Sequence, residues 1–181
     1  IPAFFFFFAS LKPEKIVLTQ DIKNEAVVDA IGKFWDKSEF SRRVHIPLTI
    51  GTVKNRDRFT KKVPRCLHLP IKLPKSDIRI PVEYQCFMDE LQQIFNFEVS
   101  VNPGWDNLYA YLTVDQSFVP RANTQRVPGP HVDGIPRDRK NPQSQLIDHA
   151  YLVTDAIPTM FYTQKFDMAP YDPEIHHYFA I

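Results

Sequence analysis

Residues 108–115 read Leu-Tyr-Ala-Tyr-Leu-Thr-Val-Asp, and in this stretch bulky apolar side chains alternate with side chains that carry a polar group. Successive side chains of a β-strand point to opposite faces, so a period of two predicts a strand whose even-numbered residues, from Leu108 to Val114, share one face. Pro103-Gly104, shortly before it, is a turn signal. The chain therefore changes to sheet structure at about this point.

The residues upstream of this strand have helical spacing instead. Between Pro81 and Phe97, apolar side chains recur three or four positions apart, which predicts an amphipathic helix with one buried face. That face comprises Tyr84, Phe87, Met88, Leu91, Ile94 and Phe95. The same spacing predicts a first helix over Asn24–Lys37. Its buried face would comprise Ala26, Val27, Ala30, Ile31, Phe34 and Trp35.

Strand-sized segments between Pro-rich turns make up the second half of the chain. They lie at residues 124–132, 146–154, 159–163 and 175–181. In the first half, prolines break residues 41–76 into what we expect to be loops and short strands. The run Phe4–Phe8 is too short for a membrane span, which needs about twenty apolar residues in a helix. It suits a buried strand or an arm that docks on a partner.

Helices followed by strands indicate an α+β fold. At 181 residues the chain fits one domain. We expect residues 1–100 to form a helical and irregular support region, and residues 101–181 to form the strands of an antiparallel sandwich or barrel.

Charge and cysteine content argue against several classes of function as first hypotheses. The 22 Lys and Arg residues nearly balance 21 Asp and Glu residues, and the net charge of +1 gives no whole-protein field that would indicate nucleic acid as a partner. The two cysteines, Cys66 and Cys86, have neither the number nor the spacing of a disulfide framework or a zinc ribbon. Reduced thiols favour an intracellular, cytoplasmic protein.

Residues 125–134 read Gln-Arg-Val-Pro-Gly-Pro-His-Val-Asp-Gly and contain the most informative pattern in the chain. Two residues apart on a strand, His131 and Asp133 point to the same face and can converge on one metal ion. A further imidazole would complete a two-His, one-carboxylate triad, which leaves positions open on Fe(II) for a co-substrate and dioxygen. The alternative is a histidine at a strand end beside a turn-forming surface aspartate.

Residues 126–134, with a Tyr-rich strand before them and a charged loop after them, resemble the metal-binding strand of the 2-oxoglutarate/Fe(II)-dependent dioxygenases. That family folds as a double-stranded β-helix, a jelly roll of eight strands supported by amino-terminal helices. The resemblance covers about residues 82–181. It implies Fe(II) and 2-oxoglutarate as cofactors, with His131 and Asp133 as the first two metal ligands.

The family's third ligand is a histidine on the seventh core strand, followed by a basic residue that pairs with 2-oxoglutarate. His177 is our candidate, because its separation from Asp133 leaves room for a strand to cross the sandwich and return. No Arg or Lys follows it, and fewer than eight strands are predicted before Ile181. We therefore expect either a jelly roll that is incomplete at the carboxyl end or one that has lost its metal centre.

Three other side chains are candidates for the co-substrate pocket. If the two-residue period is read correctly, the cavity of the jelly roll is lined by Tyr109, Tyr111 and Gln125. The alternative role for each of them is packing in the core or on the surface. His149, beside Asp148 and Tyr151, is predicted to be a hydrogen-bonded structural histidine. We assign no residue a role as catalytic acid or base.

Two hypotheses about function follow. The first is an Fe(II)/2-oxoglutarate-dependent hydroxylase of unknown substrate, with His131 and Asp133 as metal ligands and the third ligand at His177 or beyond Ile181. The second is a non-catalytic jelly-roll protein of a larger assembly, which docks on partners through Phe4–Phe8 or through an open final strand.

Overall fold

An antiparallel sheet with one long helix across it forms the described part of the molecule. The computed structural model describes residues 2–10, 31–34, 36–42, 47–121, 123, 149–154, 161, 165 and 167. The strands are β1 (Pro2–Ser10), β2 (Cys66–Lys72), β3 (Leu108–Gln116) and β4 (His149–Thr154), in the sheet order β2-β3-β1-β4. The helices are α1 (Lys37–Arg42) and α2 (Met88–Val101). Short 3-10 segments lie at Arg56–Thr60, Val82–Phe87 and Trp105–Asn107.

The predicted second helix is confirmed. It begins with the 3-10 turn Val82–Phe87, which Pro81 precedes, and continues as α2 to Val101, four residues beyond the predicted end. Leu91, Ile94 and Phe95 are buried on the face that packs against the sheet. The helix extends further than predicted because Glu98 and Val101 continue its buried face.

The alternation in residues 108–115 is also confirmed. Leu108, Ala110, Leu112 and Val114 are at most 6% exposed and form the sheet side of the core under α2. Tyr109 and Tyr111 lie on the opposite face and are half-buried. Burial of the first set against α2 stabilises the fold by about 25 cal/mol for each Å² of apolar surface removed from water.

The run Phe4–Phe8 lies within β1, which confirms that it forms a strand, while the predicted burial of its side chains stays a prediction. β1 is antiparallel to β3, with Phe6 opposite Leu112, and to β4, with Phe6 opposite Tyr151. Its backbone thus has neighbours on both sides and is not a free edge for a partner strand. Because β1 and β2 come from the first hundred residues, the sheet is not confined to residues 101–181.

The predicted first helix is wrong at its carboxyl end. Residues 31–34 form a turn and an isolated bridge instead of a helix, and Phe34 is 49% exposed instead of buried. Gly32 has a φ of 72°, a left-handed conformation that ends an α-helix. The rest of Asn24–Lys37, apart from Asp36 and Lys37, lies outside the described residues.

A buried lysine ties β2 to β3. Lys72 is 3% exposed, and its Nζ donates hydrogen bonds to the carbonyl oxygens of Asp106 and Leu108, both at 3.0 Å, and of Leu73 at 3.2 Å. The same ammonium lies 5.0 Å from the ring centroid of Trp105. Burial lowers the pKa of Lys72, an effect that nearby Asp106 opposes. This contact fixes the turn that leads into β3.

The α+β prediction is therefore confirmed at the level of class, as one long helix packed on a small antiparallel sheet. Within the described residues, no helix has the length and apolar character that a bilayer crossing requires.

Candidate functional site

Two of the predicted site residues lie side by side on the sheet face that α2 does not cover. The rings of Tyr109 and Tyr111 are stacked, with centroids 6.1 Å apart and an interplanar angle of 14°. Residues two apart on a strand share a face, which is why the two rings meet. The position of these tyrosines agrees with the face assigned to them from the two-residue period.

The remaining predicted site residues lie outside the described part of the chain. They are Gln125, His131, Asp133 and His177. Among the described residues, no three His, Cys, Asp or Glu side chains are grouped so that they could hold a metal ion. The metal assignment thus stays a prediction from the sequence.

The most elaborate polar cluster in the described structure lies on the other face of the sheet, under α2. Its centre is Glu98, which is fully buried. The Nδ2 of Asn102 donates to Glu98 Oε1 at 2.7 Å, and the hydroxyl of Tyr151 donates to Oε2. His149 Nδ1 lies 3.0 Å from both carboxylate oxygens. We call these four residues the Glu98 cluster.

Secondary structure explains why these side chains meet. Asn102 follows Glu98 by one helical turn, so the two side chains share a face at the end of α2. His149 and Tyr151 are two apart on β4 and therefore share the sheet face that α2 covers. The ring of Tyr151 also packs edge-on against Phe97 of α2, with centroids 6.2 Å apart. The cluster thus fastens β4 to the helix.

The hydrogen-bond donors around Glu98 favour its ionised form. Burial alone raises the pKa of this carboxyl, but the hydrogen bond and charge of His149, with the hydrogen bonds of Tyr151 and Asn102, outweigh burial and hold the pKa below its ordinary value. Burial, followed by the charge of Glu98, raises the pKa of Tyr151, so its hydroxyl remains a donor. A carboxylate acceptor also requires that His149 carry a proton on Nδ1.

The prediction that His149 is hydrogen-bonded is confirmed. The partner that the structure describes is Glu98, which lies on α2, far from His149 in the sequence. Glu98 is not among the residues predicted from the sequence, although one signal was present: a glutamate occupies a position on the apolar stripe of α2. A charged residue on the buried face of a helix requires a partner.

A second glutamate on α2 has the opposite surroundings. Glu90 is 6% exposed, and neither of its carboxylate oxygens has a hydrogen-bond partner among the described residues. Burial raises the pKa of Glu90. The backbone N–H of Glu90 itself and the charge of Arg58 lower the pKa, but they offset the effect of burial only in part. Arg58 itself is paired with Asp89. Glu90 is thus a buried carboxyl group without a hydrogen-bond donor from another described residue, which costs stability when it is ionised.

An open groove of about 720 Å³ lies between residues 78–80 and α2. Ile78, Met88 and Phe95 give it apolar walls, and Arg79 is its single charged lining residue. The amides of Gln85 and Gln92 complete its polar lining.

Comparisons with known proteins identify no relative of this chain: no family model, curated protein or solved structure matches it.

Proposed function

We propose that the protein is an Fe(II)/2-oxoglutarate-dependent dioxygenase that hydroxylates a substrate not yet identified. The observation that carries the proposal is the pair His131 and Asp133 in the stretch Pro-Gly-Pro-His-Val-Asp-Gly, which begins at residue 128, downstream of β3. Imidazole and carboxylate donors in this combination suit a non-haem Fe(II) ion.

The two faces of β3 carry different kinds of side chain, and this difference supports the proposal. In a jelly roll two sheets pack face to face, and supporting helices cover the outside of one of them. Here α2 covers the face that carries Leu112, whereas Tyr109 and Tyr111 lie on the other face. In the proposed fold that second face is the inside of the jelly roll, where the metal-binding strand would also direct its ligands.

Each predicted residue has a chemical role in this proposal. His131, Asp133 and His177 would hold Fe(II), which together with 2-oxoglutarate as reductant and dioxygen as oxidant would supply the chemistry for hydroxylation. The phenol groups of Tyr109 and Tyr111, together with the amide of Gln125, would donate hydrogen bonds to oxygens of 2-oxoglutarate.

The proposal is tested by anaerobic calorimetry with Mn(II), a redox-stable substitute for Fe(II), in the presence and absence of 2-oxoglutarate. We expect Mn(II) binding that 2-oxoglutarate strengthens and that the double variant His131→Ala, Asp133→Ala abolishes. His177→Ala should weaken binding, whereas the adjacent His176→Ala should not. Full-length gene product is used, with circular dichroism to show that each variant folds.

Two results would contradict the proposal. Mn(II) binding that survives in the double variant would place the metal elsewhere. No binding by the folded wild-type protein would reject the enzyme and leave the alternative, a non-catalytic jelly-roll protein that acts through partners.

A further inference from the structure

A strongly basic segment, Lys54–Arg65, lies on the surface of the described structure. It contains six Lys and Arg residues and a single acidic residue, Asp57. Two of its cations are neutralised: Arg58 pairs with Asp89, and Arg65 lies 3.4 Å from Asp115. The other four are exposed and have no ion-pair partner among the described residues. They are Lys54, Arg56, Lys61 and Lys62.

The segment is held in a defined conformation. Asn55 caps the 3-10 turn Arg56–Thr60 by accepting a hydrogen bond from the N–H of Asp57 at 3.0 Å. Phe59, at 3% exposure, anchors the turn in the core, where its ring lies 5.5 Å from that of Phe87. The exposed cations are thus displayed by an ordered backbone, which lowers the entropic cost of binding a ligand.

Gln116, the last residue of β3, fastens the segment to the sheet. Its Nε2 donates to the carbonyl oxygens of Phe59 at 3.1 Å and Lys61 at 2.9 Å, and its Oε1 accepts from the N–H of Val63 at 2.8 Å. These three hydrogen bonds place Lys61 and Lys62 directly beside the end of β3.

An exposed aromatic residue lies at the same place. Phe118 is 91% exposed, the highest value among the large apolar side chains described. It follows Gln116 by two residues, and two residues of chain span at most about 7 Å. Phe118 is therefore next to the part of the segment that Gln116 holds. At this exposure the ring of Phe118 contributes little to the core, and near Lys61 and Lys62 it is accessible to a ligand.

We propose that the basic segment Lys54–Arg65 and Phe118 form a binding surface for single-stranded nucleic acid. The cations match the phosphate backbone, and the ring of Phe118 can stack on an unpaired base, a combination that single-stranded binding surfaces use. A duplex hides its base faces and would leave Phe118 unused. A membrane surface is less suitable, because one exposed ring beside the charged segment buries little apolar area.

The overall net charge of +1 does not indicate this partner, because acidic residues elsewhere in the chain offset the local charge. The inference goes beyond the proposed oxygenase function and does not depend on it. It is therefore tested without metal or 2-oxoglutarate, so that failure of one proposal is distinguishable from failure of the other.

Fluorescence anisotropy with labelled single-stranded oligonucleotides, oligo(dT) and oligo(U) of about 12 nucleotides, measures binding as a function of salt. For the full chain we expect log K to fall linearly with log salt, with a slope of about −3 if four phosphates are neutralised at about 0.7 each. Lys61→Gln, Lys62→Gln should reduce the slope by about 1.4. Phe118→Ala should weaken binding about tenfold and leave the slope unchanged.

Matched controls use the same types of substitution elsewhere. Arg79→Gln removes an exposed cation outside the basic segment, and Val82→Ala truncates another exposed apolar side chain, at 75% exposure. Neither should alter binding. The proposal is overturned by absence of binding at low salt, by equal effects of the control variants, or by equal affinity for a duplex of the same length. Binding to anionic phospholipid vesicles without oligonucleotide binding would overturn it in favour of a membrane surface.

Discussion

At the scale of single residues, Glu98 is the side chain whose replacement should matter most to stability. Glu98→Gln keeps the size of the side chain, but its amide offers one acceptor oxygen to the three donors of Asn102, His149 and Tyr151. Leaving buried donors unpaired, and removing the charge that faces His149, should lower the free energy of unfolding by about 3 kcal/mol at neutral pH. Urea denaturation followed by circular dichroism measures this change.

The pH dependence of the same variant tests the charge of Glu98. Because its pKa is lower in the folded protein than in the unfolded chain, its stabilising contribution is complete above the ordinary carboxyl pKa and is lost as the pH falls through the folded value. The stability difference between wild type and Glu98→Gln should therefore shrink on acidification. Glu83→Gln, an exposed control, should change stability by less than about 0.5 kcal/mol. A difference that is constant with pH would show that Glu98 is not ionised.

The residues of this cluster also show a limit of sequence analysis. The pattern around His149 favoured a hydrogen-bonded histidine, and that is correct. Its partner lies 51 residues away in sequence, and no local period connects a position on α2 with one on β4. The partner could be predicted only from the sheet order, which brings β4 under the helix.

At the scale of elements, α2 contains two buried carboxyl groups with opposite effects on stability. Replacing Glu90 with methionine, a flexible side chain of similar length, removes a carboxylate that has no donor. We expect Glu90→Met to raise the free energy of unfolding by about 1 kcal/mol at neutral pH. Thermal or urea unfolding checks this, with Glu83→Met as the exposed control.

The sign of the pH dependence is the reverse of that for Glu98. The pKa of Glu90 is raised in the folded protein, so its favourable contribution is complete below the ordinary carboxyl pKa and is lost as the pH rises through the folded value. The advantage of Glu90→Met should therefore be largest at neutral pH and disappear in acid. A variant that is less stable than wild type at neutral pH would contradict this account of Glu90.

Helices and strands with a regular spacing of apolar residues could be predicted from the sequence, whereas elements without such a spacing could not. α2 and β3 each bury one face completely, so spacing alone identified them. For the helix predicted over Asn24–Lys37, the spacing of apolar residues was misleading. Gly32 lies within the helical spacing but has a left-handed backbone conformation, which an α-helix does not contain. A glycine inside a periodic stretch is compatible with both a helix and its end, and the backbone conformation decides between them.

At the scale of the whole molecule, the sheet is assembled from distant parts of the chain. β1 from the amino end lies between β3 and β4, and β2 forms an edge. Strand periodicity predicts that a segment is a strand but carries no information on its neighbours, so this order could not be obtained from the sequence. The two-residue period of β3, by contrast, does predict that Tyr109 and Tyr111 lie together on the face opposite α2.

The proposed jelly roll makes a prediction about that face. If a second sheet packs over it, Tyr111→Asp would bury a charge between two sheets and should lower the free energy of unfolding by at least about 2 kcal/mol at neutral pH. If the face is open to water, the same substitution should cost no more than the modest loss of strand propensity, within about 1 kcal/mol. Tyr111→Phe, which keeps the ring, should be nearly neutral in either case. Urea denaturation of the full chain distinguishes the two results, and a small effect of Tyr111→Asp in the folded protein would argue against the double-sheet fold on which the metal site depends.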